Sequence, residues 1–320
     1  MKSFESLTEQ GKMRRYHHMA HVALQSYPLT VNKIRCLSIR HNIIFRVDAQ
    51  EGTFLLRIGY PNIRTALMVK SEMRWLEAMN SATDLKLSTP IHTKDNDLML
   101  TYELEGIPEK RHIVLMTWLR GKPVATNVTA EKVRQAGITL AKMHIFSAEY
   151  HPEQPFMSYD NFRCAEWGGL AYLEDKNTVL THKQKALFRE AIKQSEDAIE
   201  QWRKRDGLHL IHADFHFKNM NWYRNTLYLF DFDDCRWGHF LQDIGITLQS
   251  IQALPNHETL QNEFLTAYNS QRPINFSAQD LALAKIHRMM IGLTFVINYR
   301  AQSIAQTVID NAYQYLQKHV

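Results

Sequence analysis

"HADFHFKNMNWYRNTLYLFDFDDC", residues 212–235, is the stretch of this sequence that decides the fold. It carries two histidines, three asparagines and four aspartates, and most of the residues between them are apolar or aromatic. Aspartate is depleted in strands, yet Asp231 directly follows a strand-like run at 227–230. Because a buried carboxylate is costly unless it is paired or bound to a metal, this cluster requires a partner.

The composition of the chain is that of a globular protein large enough for two lobes. It has 320 residues, of which 45% are hydrophobic and 11% aromatic, and this excludes a disordered chain. The net charge is +5, but the basic residues are scattered, and their densest group is the short run 203–205. Since a nucleic-acid site needs a longer basic stripe, we expect no nucleic-acid partner.

The cysteines and the apolar stretches predict a cytoplasmic protein. Cys36, Cys164 and Cys235 are odd in number and far apart, which is typical of a reducing compartment without disulfides. The N-terminal residues have no apolar core of the signal-peptide kind. The longest apolar stretch, 289–297, is well short of the roughly 20 residues that a membrane span needs, so we expect no membrane partner.

Strand patterns dominate the first third of the chain, and helical patterns dominate the rest. Residues 33–46 alternate like a strand, a turn and a second strand. Strands are also predicted at 43–47, 53–58, near Ile91, at 98–102, 113–118, 208–211 and 227–232. Helices are predicted at 5–26, 64–80, 129–146, 181–205 and through most of 241–320, with breaks at Pro255 and Pro273. This order of elements favours an α+β fold with two lobes.

The stretch 212–235 contains the oxygen ligands of a magnesium site. Asp214 and Asn219 lie in a loop between two strand-like segments, and a turn at 224–225 is expected to bring Asp231 back towards Asn219. Carboxylate and amide oxygens suit Mg²⁺, which is commonly held by one or two carboxylates together with substrate phosphates. Asp214 is then available to accept a proton from a hydroxyl group. These are the parts of a phosphoryl-transfer site.

Two motifs in this stretch resemble those of a known superfamily. "HADFHFKN" resembles the H-x-D-x-x-x-x-N catalytic loop of aminoglycoside phosphotransferases and choline kinases, and "LFDFDD" resembles their metal-binding aspartate strand. The chain is similar to bacterial phosphotransferase enzyme family proteins, including homoserine-kinase-like enzymes and the stress response kinase. The resemblance assigns the catalytic base to Asp214 and the metal ligands to Asn219 and Asp231. It implies Mg²⁺ and ATP as cofactors.

The same resemblance extends over most of the chain and implies a bilobal protein-kinase-like fold. It implies an N-lobe at 1–115, a hinge at 116–121 and a C-lobe at 122–320. "LAKMH" (140–144) resembles a helix of the large lobe, and "FLQDIG" (240–245) resembles the segment with the later aspartate that braces the catalytic loop, here Asp243.

Nucleotide-binding residues also follow from the resemblance. "FLLRIGYP" resembles the third strand of the small lobe, where a basic residue contacts phosphates, and "SEMRWLEAM" resembles the helix whose glutamate pairs with it. Arg57 and Glu72 take these roles. "IVLMTWLRGKPV" resembles the hinge that holds adenine through its backbone, with Met116, Thr117 and Trp118 at the contact.

Two features depart from the family pattern. Arg57 stands where protein kinases and several antibiotic kinases have lysine, although its planar fork can still bind a phosphate. The loop "CLSIRHN" (36–42) has no glycine, unlike the phosphate loop of protein kinases. Ser38, His41 or backbone N–H groups would have to hold the phosphates there.

Other polar and aromatic residues receive narrower roles. His212 is interpreted as a structural histidine that braces the loop through hydrogen bonds, and His216 as a loop residue near the acceptor. Asp233 is a candidate second metal ligand, because strand alternation would point it the same way as Asp231. The family position of Trp167 and Tyr172 suggests that they lie by the acceptor cleft.

The main interpretation is ATP-dependent transfer of phosphate to the hydroxyl group of a small molecule, and three alternatives stay open. A nucleotide-binding pseudokinase or regulatory module is favoured by the glycine-free loop and Arg57. A metallohydrolase is suggested by the H-x-D-x-H string at 212–216, since imidazole suits transition metals. A protein serine or threonine is not excluded as the acceptor.

The charge of the C-terminal region bears on the acceptor. From Arg236 to Val320 there are five acidic and six basic residues. A polycationic acceptor would require an acid-rich cleft, so this balance favours a neutral or anionic hydroxyl compound, such as an amino alcohol, a hydroxy amino acid or a sugar.

Overall fold

The computed structural model describes two compact units of the chain. The described residues are 3–39, 42–60, 63–159, 171–174, 180–273, 275–299 and 302–320, without the side chains of 171, 172, 298, 299, 302 and 303. The first unit comprises Met1–Gly121, His151–Met157 and Tyr223–Asp233, and the second comprises Lys122–Tyr150, Ser158–Trp222 and Asp234–Val320. The lobe boundaries expected from the resemblance stay a prediction.

The strands concentrate in the first third of the chain. They are β1 (Val31–Ile39), β2 (Asn42–Ala49), β3 (Gly52–Gly59), β4 (Lys86–Leu87), β5 (Pro90–Ile91), β6 (Leu100–Tyr102), β7 (Arg111–Thr117), β8 (Lys122–Pro123), β9 (His209–Ile211), β10 (Met220–Tyr223), β11 (Thr226–Leu229) and β12 (Arg236–Gly238).

The helices fill most of the remainder. They are α1 (Glu9–Leu24), α2 (Ala66–Ala82), α3 (Ala130–Glu149), α4 (Ala171–Glu174), α5 (His182–Asp206), α6 (Phe240–Gln252), α7 (His257–Gln271), α8 (Ala278–Tyr299) and α9 (Gln302–Leu316). Short 3₁₀ turns lie at Val124–Thr126 and Phe217–Asn219. The predicted helix breaks at Pro255 and Pro273 are confirmed, because both prolines fall between helices.

Threonine caps explain where four predicted helices begin. In each case the threonine hydroxyl accepts a hydrogen bond from a backbone N–H of the first turn, which satisfies a donor that has no partner within the helix. These caps are Thr8, Thr65, Thr129 and Thr181. At Thr181 the side chain of Gln184 also accepts a hydrogen bond from the Thr181 backbone N–H, which completes a capping box.

The main sheet of the first unit is antiparallel. Its strands run in the order β1-β2-β3-β7-β5, and β6 also pairs with β7. The hairpin of β2 and β3 was predicted, and it is longer than the prediction because pairing extends from Asn42↔Gly59 to Ala49↔Gly52. Gly52 has φ 146°, a backbone conformation that favours glycine at this turn.

The core of the first unit lies between α1 and this sheet. The buried face of α1 contributes Met19, Ala20 and Ala23, which are fully buried and belong to one cluster with Phe45 and Leu56 of the sheet. Alternate residues of β2 are buried, as expected for a strand with one face on a core.

Trp75 joins three separate segments of the first unit. It lies on α2 and is fully buried, and it makes edge-on ring contacts with Phe156 and Phe232, with centroids 6.4 Å and 5.6 Å away. Aromatic pairs of this kind stabilise beyond their area of burial. The contact with Phe232 anchors the segment that carries Asp231 and Asp233.

The second unit has a helical core around β9. One buried cluster contains Phe188 of α5, Ile211 of β9, Phe240 of α6, Met290 of α8 and Ile309 of α9. This cluster supports the loop that follows β9. None of the helices in the described ranges is both long and apolar enough to cross a membrane.

Candidate active site

Asp214 lies in the loop between β9 and β10, and both of its carboxylate oxygens are engaged. Oδ2 accepts a hydrogen bond from Asn219 Nδ2 at 2.8 Å and lies 3.2 Å from His216 Nε2. Oδ1 accepts a hydrogen bond from Arg288 Nη2 of α8 at 2.7 Å. Asp214, His216 and Asn219 are therefore brought together, and Arg288 joins them from 74 residues away in sequence.

These contacts keep Asp214 ionised. Burial alone would raise the pKa of its carboxyl group, but the hydrogen bond with His216 and the positive charge of Arg288 outweigh that effect. The pKa of Asp214 consequently lies well below its usual range. Asp214 can orient a hydroxyl group by accepting its hydrogen bond, because its carboxylate remains charged at neutral pH.

Asn219 presents its amide oxygen away from Asp214. Its Nδ2 donates both to the Asp214 carboxylate and, at 3.0 Å, to the Asp214 backbone carbonyl. Since the nitrogen is committed to these two acceptors, Oδ1 is the atom that remains for a cation. Asn219 is only 5% exposed, so this orientation is held by packing as well as by hydrogen bonds.

Asp243 holds the backbone of the loop. It is fully buried in the first turn of α6, where its carboxylate accepts hydrogen bonds from the N–H groups of His212 (2.9 Å) and Ala213 (2.7 Å). Ala213 has φ 64°, a left-handed conformation that is costly for a residue other than glycine. The two charge-assisted hydrogen bonds stabilise this strained turn directly before Asp214.

Histidines complete the support of the loop. His212 is fully buried, and its Nδ1 accepts a hydrogen bond from the Asp214 N–H at 3.3 Å. His144 of α3 places Nε2 3.2 Å from Asp243 and Nδ1 2.8 Å from the hydroxyl of Tyr268. Burial lowers the pKa of His144 although Asp243 opposes the change, so at neutral pH a neutral imidazole, not an imidazolium ion, contacts the Asp243 carboxylate.

Arg57 and Glu72 form a buried pair in the first unit. Arg57 Nη1 and Nη2 donate to the two carboxylate oxygens of Glu72 at 2.8 Å and 2.6 Å, and Arg64 donates to the same carboxylate. Burial would raise the pKa of Glu72, but the two guanidinium groups lower it to about 2. Arg64 was not identified from the sequence, although it lies eight residues before Glu72, directly before the Thr65 cap of α2.

The predicted strand 227–232 is wrong at its C-terminal end. β11 ends at Leu229, and Asp231 has φ 68°, which is incompatible with an extended strand. Strand alternation therefore does not relate Asp231 to Asp233. Asp233 Oδ2 accepts a hydrogen bond from Asn42 Nδ2 at 2.8 Å, and its charge acts on Arg57. The first unit thus brings Asp233 close to the Arg57–Glu72 pair.

The predicted hinge begins with the last two residues of β7. Met116 and Thr117 are the last residues of β7, which pairs with β3 through Leu55↔Met116. Thr117 Oγ1 accepts a hydrogen bond from the Thr89 N–H at 2.9 Å, and the ring of Trp118 lies 5.2 Å from the Arg46 guanidinium.

For the remaining predicted site residues, the structure gives few or no side-chain contacts that bear on their roles. Ser38 is a partly buried residue of β1 opposite Ile44. His41 and Trp167 lie outside the described residues, as does the side chain of Tyr172 on α4. Their roles stay predictions.

The H-x-D-x-H string does not form a transition-metal site. His212 is engaged with the Asp214 backbone, whereas His216 contacts the Asp214 carboxylate. Within the part of the chain that the structure describes, no three His, Cys, Asp or Glu side chains are arranged to hold a metal ion. A magnesium site does not require such a group, because substrate phosphates supply part of its coordination.

Comparison with known proteins identifies the family. The sequence model of the phosphotransferase enzyme family matches residues 38–275, so the chain belongs to that family. Amicoumacin kinase of Bacillus subtilis (strain 168) is 21% identical over 256 residues, which cover 77% of this chain and 73% of that protein.

Solved structures share the fold. A microcompartment-associated aminopropanol kinase superposes with a TM-score of 0.78 at 22% identity, covering 94% of this chain and 95% of its own. The amicoumacin kinase hAmiN, in complex with AMP-PNP, Ca²⁺ and Ami, superposes with a TM-score of 0.77 at 16% identity, covering 98% and 96%. The predicted α+β, protein-kinase-like fold is confirmed.

Family membership also defines the class of activity. The chain is a kinase that moves phosphate from ATP to a hydroxyl group of a small molecule, as predicted. The chain belongs to a family of ATP-using kinases, and the similar hAmiN structure contains AMP-PNP with Ca²⁺.

Proposed function

We propose that Asp214 is the catalytic residue of this kinase and that it acts on the acceptor hydroxyl. The observation that carries the proposal is the pair of engaged carboxylate oxygens, held by Asn219 and His216 on one side and by Arg288 on the other. A carboxylate that stays ionised accepts the hydroxyl hydrogen bond and aligns the oxygen with the phosphate. In phosphoryl transfer, such positioning supplies much of the acceleration.

Mg²⁺ is the proposed metal, with Asn219 Oδ1, Asp231 and Asp233 as its ligands. All three offer hard oxygen atoms, and the committed Nδ2 of Asn219 supports the use of its oxygen. When bound, the ion neutralises charge that develops on the transferred phosphate. The left-handed backbone of Asp231 is a further support, because strained residues cluster at functional sites.

Arg57 is proposed to bind the nucleotide phosphates, with Glu72 as its positioning residue. The bidentate pair removes the rotational freedom of a long side chain, so Arg57 is ordered before the nucleotide arrives. Met116, Thr117 and Trp118 are proposed to contact adenine, and Ser38 to lie at the phosphates. His212 and Asp243 are proposed to brace the loop, and His216, Trp167 and Tyr172 to contact the acceptor.

Substitution of Asp214 separates catalysis from nucleotide binding. Asp214→Asn should lower acceptor-dependent ADP formation by about 10²- to 10⁴-fold, while thermal stabilisation by Mg–ATP persists. Asp197→Asn is the matched control, since Asp197 is an exposed residue of α5 that pairs with Lys193. Turnover of Asp214→Asn at the wild-type rate would show that another group orients the hydroxyl.

Substitution of Asp231 tests the metal assignment. At about one hundred times its dissociation constant, Mg–ATP should stabilise the wild type by about 2.7 kcal/mol. Asp231→Ala should lose the part of this stabilisation that depends on Mg²⁺ and keep the part that ATP provides alone. An unchanged magnesium dependence would remove Asp231 from the ligand set.

A further inference from the structure

Arg288 lies where the acceptor hydroxyl must bind. Oδ2 of Asp214 is engaged within its own loop, whereas Oδ1 points to Arg288 on α8. The side chains of Asp214 and Arg288 are 19% and 24% exposed, so this pair is open to solvent although its surroundings are packed. A hydroxyl group that reaches Oδ1 therefore comes into contact with a guanidinium group.

The position of Arg288 relative to the loop is rigid. α6 holds the loop through Asp243, and two residues later Gly245 packs against the backbone of Ala284 on α8. A Cβ atom at Gly245 would collide with the Ala284 carbonyl group, which shows how closely the two helices approach. Arg288 follows Ala284 by about one helical turn. The packing of α6 on α8 thus sets the distance between Arg288 and Asp214.

The charge on α8 favours an anion. From Leu281 to Tyr299 this helix has no acidic residue, and its basic residues are Lys285 and Arg288. Among the described residues, Asp214 is the one ion-pair partner of Arg288. An ammonium group beside the reacting hydroxyl would meet this cation, whereas a carboxylate would be attracted to it.

We propose that Arg288 determines acceptor specificity by binding a carboxylate that the acceptor carries near its reacting hydroxyl. The preferred acceptors are then hydroxy acids, including hydroxy amino acids, rather than the corresponding amino alcohols. Arginine has five N–H donors in a planar fork, so Arg288 can keep its contact with Asp214 and bind a carboxylate with another edge. This inference rests on the proposed role of Asp214, because the hydroxyl must lie at that carboxylate.

Matched acceptor pairs that differ only in a carboxylate test the proposal. Such pairs are L-serine with ethanolamine, L-threonine with 1-amino-2-propanol, and L-homoserine with 3-amino-1-propanol. The wild type should show the higher kcat/KM for the carboxylate member of the pair that it uses. Arg288→Gln should lower that value by about 10- to 100-fold more than the value for the amino alcohol, chiefly through KM, because a charge-assisted hydrogen bond to the bound acceptor is lost.

Control variants distinguish recognition of the acceptor carboxylate by Arg288 from a role of Arg288 in positioning Asp214. Lys285→Gln removes the neighbouring positive charge of α8 and should leave the preference between pair members unchanged. Arg288→Lys keeps the charge but not the fork, so it should retain part of the preference. A wild-type preference for the amino alcohols overturns the proposal. Equal losses for both members of a pair, mainly in kcat, also overturn it, since Arg288 would then only position Asp214.

A binding measurement distinguishes failure of the proposed carboxylate recognition from failure of the proposed nucleotide site. With a non-hydrolysable ATP analogue and Mg²⁺ present, carboxylate acceptors should raise the melting temperature of the wild type but not of Arg288→Gln. If no carboxylate member either stabilises the protein or is phosphorylated, Arg288 does not select an anionic acceptor. Failure of Mg–ATP itself to stabilise the wild type would instead contradict the proposed nucleotide site.

Discussion

Substitution of Glu72 by glutamine should destabilise the first unit strongly. Glu72 is fully buried and pairs with both Arg57 and Arg64, whose side chains are only 8% and 11% exposed. Glutamine keeps the shape of glutamate but removes its charge, which deprives two buried guanidinium groups of the carboxylate that they share. Breaking a buried pair by removing one partner costs about 3–5 kcal/mol.

The pKa of Glu72 leads to a similar magnitude. Its carboxyl group has a pKa of about 2 in the folded protein against 4.5 in the unfolded chain. At about 1.4 kcal/mol per pKa unit, this difference corresponds to about 3 kcal/mol. Because the folded pKa is the lower one, the stabilisation is complete above pH 4.5 and is lost as the pH falls towards 2.

Urea unfolding at neutral pH measures the effect. Glu200→Gln is the matched control, because Glu200 also receives two hydrogen bonds from one arginine, Arg203, but on the exposed surface of α5. Exposed pairs contribute little, so Glu200→Gln should leave the unfolding midpoint unchanged. Equal midpoints for Glu72→Gln and Glu200→Gln would refute the reasoning. On acidification below pH 4.5, the wild type should approach Glu72→Gln in stability.

Three further substitutions test the contacts that support the loop carrying Asp214. Asp243→Asn weakens two charge-assisted hydrogen bonds to the loop backbone, so urea unfolding should show a loss of about 1.5–3 kcal/mol and the assay a lower kcat. Gly245→Ala should destabilise by about 1–3 kcal/mol because its Cβ meets the Ala284 backbone, whereas Gly292→Ala, with open space around it, should not destabilise. Burial lowers the pKa of His239 to about 4, although Asp206 opposes the change. Because the folded pKa is the lower one, the contribution of His239 to stability should be complete above pH 6.5 and fall by about 3 kcal/mol towards pH 4. His239→Asn keeps a helix cap and should flatten this pH dependence in thermal unfolding.

Local sequence patterns predicted those helices and strands whose formation depends on the spacing of nearby apolar residues. The hairpin of β2 and β3 follows from alternating apolar residues, and the four capped helices follow from apolar periodicity. The end of β11 was not predicted, because the apolar residues Phe230 and Phe232 continue the strand pattern. Phe232 packs on Trp75 instead, and Asp231, between Phe230 and Phe232 in the chain, adopts a left-handed conformation.

The spacing of Asp214 and Asn219 is a local property, so the sequence by itself determined the class of the protein and this part of its candidate site. The same holds for the order of Arg57 and Glu72 along the chain. Only the tertiary structure decided the electrostatic state of these groups. Arg288 has no pattern that relates it to Asp214, and a pKa depends on burial and on distances between charges. Helix packing brings such charges together across long sequence separations, which is why the partner of the proposed catalytic carboxylate emerged only from the folded chain.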